Sequence, residues 1–176
     1  MSYIPGIPEN SGPEGILQQF PETGNPILQA TQVMLNGNAE LSKDICELIA
    51  AYTSGLNACH FCYEGHSAFA EAFGIKEGLL DALVEDIDSV KLDNKLKVLL
   101  KYLKKVTLES HKIVQKDVDD VLAAGWSIEA YYYAVSICSL FNYYNRLVDA
   151  YGLKLPPGFK AQIKQHVQSG GSMHDH

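Results

Sequence analysis

The chain has 176 residues, 47% of them hydrophobic, and a formal net charge of −7. That length allows one domain with a substantial core, and the composition is too apolar for a disordered chain. No apolar run reaches the roughly 18 residues that cross a bilayer, the N-terminus lacks the basic and apolar regions of a signal peptide, and the acidic balance disfavours nucleic acid, which binds through phosphate neutralisation, so we expect a cytoplasmic protein with neither a membrane nor a nucleic-acid partner.

Taken in chain order, the sequence reads as helices. Pro5, Pro8, Pro13 and Pro21 mark residues 1–25 as an extended arm with at most a short helix at 14–19. Pro26 suits a first helical position and opens a helix at 26–35, which ends at Asn36-Gly37. Ser42 is the N-cap of the next helix, in which Ile45, Leu48, Ile49 and Tyr52 recur at helical spacing until Gly55. A helix from about Cys59 stops at Gly74, and further helices are expected at 76–86, 92–109 and 115–124. Ser127 caps a long helix at 128–151 that stops at Gly152, and a last short helix runs over about 158–167. "YYYAV" at 131–135 has strand propensity, but it lies inside this capped helical pattern, and no strand is expected. The basic run "KYLKKV" at 101–106 reads as the solvated side of its helix. The fold class is therefore all-α, with one domain at 26–168 and a flexible tail at 169–176. "SAFAEAFG" (67–74) and "NRLVDAYG" (145–152) form a weak internal echo of a duplicated helical unit.

The chemistry concentrates in "NACHFCYEGHSAF" at 57–69. On a helix at about 100° per residue, Cys59, Cys62 and His66 fall within an arc of about 60°. Phe69, Ala70 and Phe73 continue that stripe, so the thiols and the imidazole should sit above two aromatic rings, with His60 and Glu64 pointing elsewhere. Both thiols lie in the first turn, where unpaired backbone N–H groups favour thiolate. A nearby His can take a thiol proton and a carboxylate can orient that His. Glu47, on the preceding helix, lies off its apolar stripe on a face carrying Ala50, Ala51 and Ser54. A glutamate so placed is ordinarily at the surface, although the small neighbours permit a second helix to approach.

A haem attachment needs His directly after the second Cys, where this chain has Tyr63. Thioredoxin-like chemistry needs a βαβ unit. Zinc held by Cys59, Cys62, His66 and Glu47 would match no common finger spacing, and it stays open together with an inert pair of buried cysteines.

Glu47, Cys59, Cys62 and His66, in the spacing Glu, eleven residues, Cys, two residues, Cys, three residues, His, resemble the active-site motif of the alkylhydroperoxidase D (AhpD) family, part of the carboxymuconolactone decarboxylase superfamily. "ELIAAYTSGLNACHFCYEGH" resembles that family's helix–turn–helix, and "FNYYNRLVDAYG" is similar to the last long helix of its peroxidase-related subgroup. The resemblance implies an all-helical thiol peroxidase that needs no cofactor and no metal; the tyrosine-rich helix and proline-rich arm, with more apolar surface than one small domain hides, separately predict a symmetric homo-oligomer. The resemblance further implies that Cys62 attacks a small organic hydroperoxide, that Cys59 resolves the sulfenic acid as a disulfide, that Glu47 and His66 relay protons, and that a lipoyl-bearing or thioredoxin-like dithiol protein restores the thiols. Helix-dipole reasoning alone favours Cys59 as the attacker. Where the peroxidase carries a second His before its second cysteine, this chain has Phe61, which shortens the relay. The rival functions are an acid/base enzyme of the decarboxylase type and a non-catalytic helical redox sensor. Asn142, Asn145 and Arg146 are read as helix-bridging residues outside the site, and the tyrosines of the long helix (Tyr131, Tyr132, Tyr133, Tyr143, Tyr144) fit either a core or a subunit interface.

Overall fold

The computed structural model describes residues 2–7, 11–37 and 40–169, so all of the expected tail except Ser169 lies outside the described residues, His174 and His176 included. The described chain forms nine α-helices and no strand: α1 (Pro13–Leu17), α2 (Pro21–Leu35), α3 (Lys43–Leu56), α4 (His60–Ala72), α5 (Leu79–Asp86), α6 (Asn94–Glu109), α7 (Gln115–Ala123), α8 (Ile128–Tyr151) and α9 (Phe159–Gln168). No helix of the described residues is long and apolar enough to cross a membrane.

Local chemistry sets most of the boundaries. Ser127 caps α8 by accepting from the Ala130 N–H at 3.0 Å, and Asp93 caps α6 by accepting from the Leu96 N–H. Both caps satisfy donors that a helix start leaves unpaired. Ser42 sits at the N-cap of α3 but makes no side-chain capping bond.

The N-terminal region departs from expectation. The short helix allowed at 14–19 is found at 13–17, but residues 21–25 are helical as well, and α2 opens at Pro21 rather than at Pro26. Pro21 takes the first position, where a missing N–H costs nothing, and Pro26 is carried inside the helix. Gly24 permits the crossing with α1: a Cβ there would meet the Leu17 carbonyl oxygen at 2.0 Å. The first residues are also tied down. The Tyr3 N–H and the Ser2 hydroxyl both donate to the Tyr151 carbonyl, at 2.9 and 2.8 Å. Tyr3 packs over Gly152, whose φ of 65° ends α8 in the left-handed region that favours glycine.

α3 is the central helix. It packs against α2, α4, α5, α6 and α8, and every residue from Cys46 to Ser54 is buried. A helix buried all round belongs in the middle of a bundle. Leu48, Ile49 and Tyr52 of α3 join Leu99, Leu100 and Leu103 of α6 and Ala134, Ile137, Phe141 and Val148 of α8 in the main core. α4 lies between that core and α9. Cys59, Cys62 and Ala70 face the main core, whereas Phe69 and Ala68 pack with Ile163 in a separate small cluster that Phe73 and Phe159 extend. The expected seam of thiols above Phe69 and Phe73 is thus divided, because α9 covers the second side of α4. Lys160 and Lys164 of α9 pair with Glu71 of α4, at 3.1 and 3.3 Å.

The tyrosines of α8 divide between the core and the surface. Tyr144 is buried and shares a 2.7 Å hydrogen bond with Thr31. Tyr131 shares one of 2.6 Å with Tyr102, while Tyr132 is 60% exposed.

Three buried acids make the fold sensitive to alkali. Burial, the largest cause in each, pushes Cys46, Tyr52 and Tyr144 up to about 12. The unfolded chain gives up these protons between about pH 8.5 and 10, and the native chain keeps them to about 12. Their stabilisation is therefore full below about pH 8.5 and is lost as pH rises through about 12. Circular dichroism melts under reducing conditions should give a level midpoint near neutrality and a steadily falling one above about pH 9; a level midpoint up to about pH 11 would contradict this account.

Candidate functional site

The site is built on the α3–α4 hairpin. α3 ends in two reverse-turn bonds, Cys59 N–H to Ser54 carbonyl and Ala58 N–H to Gly55 carbonyl, both at 3.0 Å. This is a Schellman arrangement, which calls for a left-handed residue at the position of Ala58. Ala58 supplies it with φ of 55°, as the non-glycine residue with positive φ among the described residues. The turn delivers Cys59 as the N-cap of α4 and leaves Cys62 in its first turn.

The structure buries all four expected residues and pairs them two by two, Glu47 with His66 and Cys59 beside Cys62. Glu47 is only 2% exposed, which overturns the surface position expected from its place on α3. The small residues Ala50, Ala51 and Ser54 let neighbouring helices close over that face. Its Oε2 lies 2.6 Å from His66 Nδ1. A carboxylate only accepts, so Nδ1 carries the hydrogen of this bond, and in the neutral imidazole the lone pair is then on Nε2. The His66 ring meets Phe141 edge-on, with centroids 4.4 Å apart. His66 stands one helical turn beyond Cys62, the spacing that places side chains over one another.

Cys59 and Cys62 are free thiols, both buried, and lie close together at the start of α4. Cys62 holds its proton above the ordinary thiol range. The largest cause is the hydrogen bond with Cys59, followed by burial and by the charge of the Cys59 sulfur; a hydrogen bond from Asn145 acts in the opposite direction. Two neighbouring thiols lose their protons as a pair, the second against the charge left by the first. Among the described residues no three His, Cys, Asp or Glu side chains are grouped to hold a metal ion.

Asn145 is the residue that sequence reasoning left out. It is 1% exposed and lies beside Tyr144 and three residues before Val148, both on the buried stripe of α8. A polar side chain on a buried stripe requires partners, and that was the available signal. Asn142 and Arg146 bridge within α8 as expected: Arg146 Nη1 donates to Asn142 Oδ1 at 3.0 Å. On the other side of the thiols, Gly55, Ala58, Cys59, Tyr63, Asp81 and Val84 help line a cleft of about 390 Å³ that His60 and Glu85 complete.

Neither a protein-family model nor a curated protein matches the chain. Solved structures do. An uncharacterised peroxidase-related protein of Ralstonia eutropha JMP134, described as an alkylhydroperoxidase AhpD core, superposes with a TM-score of 0.76 at 19% identity over 85% of this chain and 78% of its own. An uncharacterised peroxidase-related protein of Silicibacter sp. TM1040 gives the same TM-score at 23% identity over 85% of this chain and 80% of its own. The fold is the AhpD-like fold. Within it the hairpin of α3 and α4 carries the C-x-x-C pair.

Ala58 gives this AhpD-like hairpin a local cost. A left-handed L-residue costs about 1–2 kcal/mol, of which glycine would return roughly half after its own entropy loss. Ala58 is exposed, so little packing is lost on removing its methyl group. Ala58→Gly should stabilise the reduced protein by about 0.5–1 kcal/mol, a rise of about 1–4 °C in the melting midpoint for a chain of this size, read by calorimetry.

Proposed function

We propose that this protein is a cofactor-free thiol peroxidase that reduces small organic hydroperoxides. The observation that carries the reading is the buried Glu47–His66 hydrogen bond of 2.6 Å, set one helical turn from a pair of neighbouring thiols. The AhpD-like fold supports it. A buried acid–base pair beside two thiols at a helix start is an arrangement suited to making a thiolate.

The reaction begins when His66 Nε2 takes the proton of the thiol pair and Cys62 carries the negative charge. The sulfur attacks the terminal oxygen of the hydroperoxide. The O–O bond breaks, an S–O bond forms, and the leaving alkoxide takes a proton through His66 to depart as an alcohol. Cys62 is then a sulfenic acid. Cys59 attacks its sulfur, the S–S bond forms, the S–O bond breaks, and the hydroxyl leaves as water with the proton from Cys59. A dithiol partner, lipoyl-bearing or thioredoxin-like, restores both thiols by two exchanges and leaves as its own disulfide. The cleft beside Cys59 supports attack on that sulfur from outside. Such a protein would work in the cytoplasm, where dithiol reductants keep thiols reduced.

Stopped-flow consumption of cumene hydroperoxide by the reduced protein tests the reading. Cys62→Ser should abolish consumption, and Cys59→Ser should allow one stoichiometric turnover that ends in a sulfenic acid trapped by dimedone. Exchanged outcomes would make Cys59 the attacker. Glu47→Gln, which keeps its volume, and His66→Ala should each slow the reaction by roughly 10²–10⁴, the usual contribution of a positioned acid–base group. Wild-type rates in both variants would remove the relay.

The chain also acts as a symmetric homo-oligomer, most simply a dimer or trimer. The support is apolar surface on exposed positions, Ile128 (77%), Tyr132 (60%), Val33 (59%) and Phe20 (57%) among them. Light scattering at micromolar concentration should give a multiple of 19.4 kDa, and a monomer mass would count against this.

A further inference from the structure

The cleft beside the thiols is walled by three helices, and the charge on its walls has one sign. α5 comes close to the end of α3 because Gly55 has no side chain: a Cβ there would meet Val84 Cγ2 at 2.5 Å and the Tyr63 ring at 3.0 Å. The Tyr63 hydroxyl donates to the Asp81 carboxylate and so ties α4 to α5. Asp81 and Glu85 stand one turn apart on α5, the spacing that sets side chains over one another on one face. Both are exposed and both line the cleft. No lysine or arginine lines it, and His60 is the only lining side chain that can become a cation. Cys59 is fully buried and lines this cleft, whereas Cys62 does not. A small molecule that enters here therefore passes two carboxylates and comes to Cys59 before Cys62.

We propose that this cleft is where a thiol reductant attacks a Cys59–Cys62 disulfide, and that Asp81 and Glu85 are specificity-determining residues that favour a cationic thiol over a neutral one and exclude an anionic one. Helix geometry puts Cα atoms three residues apart at about 5 Å, inside the range that a disulfide spans. The reductant's thiolate attacks Cys59 Sγ, an S–S bond forms between them, the Cys59–Cys62 bond breaks, and the Cys62 sulfur leaves and takes a proton. A second reductant thiol attacks the first in that mixed disulfide. The two reductant thiols give up two electrons and two protons and leave as a disulfide, and Cys59 and Cys62 end as thiols. The attacking sulfur is an anion, which the two carboxylates repel. An ammonium beside it offsets that repulsion, and a carboxylate beside it adds to it. A cleft lined by charge of one sign strengthens this selection. A dithiol on an uncharged amide arm passes such a filter, and a thiol bearing carboxylates does not.

The place of the cleft in turnover rests on the peroxidase reading, but its test needs no peroxide. The protein is oxidised with diamide, an azo compound that takes up the two electrons and two protons of the thiol pair. It is then reduced with cysteamine, 2-mercaptoethanol or 3-mercaptopropionate, which carry a positive, no and a negative charge beside the thiol. Acid quenching, alkylation and mass spectrometry follow the rate. Each thiol is compared with itself across variants, so differences in thiol acidity cancel. The cysteamine:3-mercaptopropionate rate ratio should fall by about fivefold or more in Asp81→Asn/Glu85→Gln, the scale for two exposed charges acting on a group whose sign is reversed. In the wild type it should fall with added salt. Glu85→Gln alone, which leaves the Tyr63–Asp81 bond in place, should lower it by about twofold or more. Glu129→Gln removes the same charge from α8, sixteen residues before the Asn145 that meets Asn57, about 24 Å along that helix, and should leave the ratio unchanged. A ratio that Glu85→Gln and the double variant leave unchanged, or that Glu129→Gln lowers as far as Glu85→Gln does, overturns the proposal. So does a diamide-treated protein without a Cys59–Cys62 disulfide. Charge-selective reduction in a protein that leaves cumene hydroperoxide untouched would sink the peroxidase reading and leave the assignment of the cleft standing.

Discussion

A carboxylate cannot lie in the middle of a helical bundle without a donor. The isolated ion costs several kcal/mol to bury, and it must be paired, hydrogen-bonded or neutralised. Glu47 is in that position on α3, and His66 of α4 is the partner that makes it tolerable. The pair therefore ties the rotation of α4 about its axis to α3. Once His66 faces Glu47, the residues one and two turns earlier on α4, Cys62 and Cys59, are brought to the same interface. The buried Glu47–His66 hydrogen bond and the placement of the thiols are one constraint seen from two ends.

The other end of the site is held by neutral groups. Ser54 and Asn57 of the α3 end meet Asn142 and Asn145 of α8 in an amide and hydroxyl network whose members all find partners. Such a network fixes a single arrangement because any slip leaves buried donors unpaired. It acts on the turn that bears Cys59, which is also the turn that keeps Ala58 in a left-handed conformation. Strain of this kind persists only where surroundings over-determine the backbone. The Schellman bonds and Asn57 do so here.

These interactions explain what could and could not be read from the residues. α8 was read from Ser127 to Gly152 because both ends carry local signals, a side-chain cap and a left-handed glycine. The start of α2 was missed because Pro26 is an equally good first residue, and only the crossing at Gly24 over Leu17 favours Pro21. Spacing placed Cys59, Cys62 and His66 on one face, since three residues of one helix share a single period. It misjudged Glu47, because periodicity ranks faces of a helix by their own composition, and α3 is buried on every side. Phe69 and Phe73 went astray for the complementary reason: their stripe is apolar, but α9 rather than the main core covers it. Asn145 lies 83 residues from Cys62 in sequence, and only the packing of α8 against the hairpin brings the two together.

The relay and the amide network also answer an electrostatic difficulty. A thiolate in a site this dry is costly, as the raised proton affinity of Cys62 reflects. In the proposed relay the proton does not leave for solvent. It moves from the thiol pair to His66, whose imidazolium then sits against Glu47. Before the transfer the site holds one negative charge, on Glu47. After it there are two negative charges and one positive charge, so the net charge of the buried site is unchanged. The cost is then the rearrangement of charge over a few ångströms, not the creation of a lone ion in the core. Attraction between the new imidazolium and Glu47 across 2.6 Å offsets part of that cost. Hydrogen bonds to the new anion offset another part. A surface glutamate could not serve, since its attraction for the imidazolium would be screened by water. In the proposed relay, burying Glu47 is thus what allows a buried thiol to ionise.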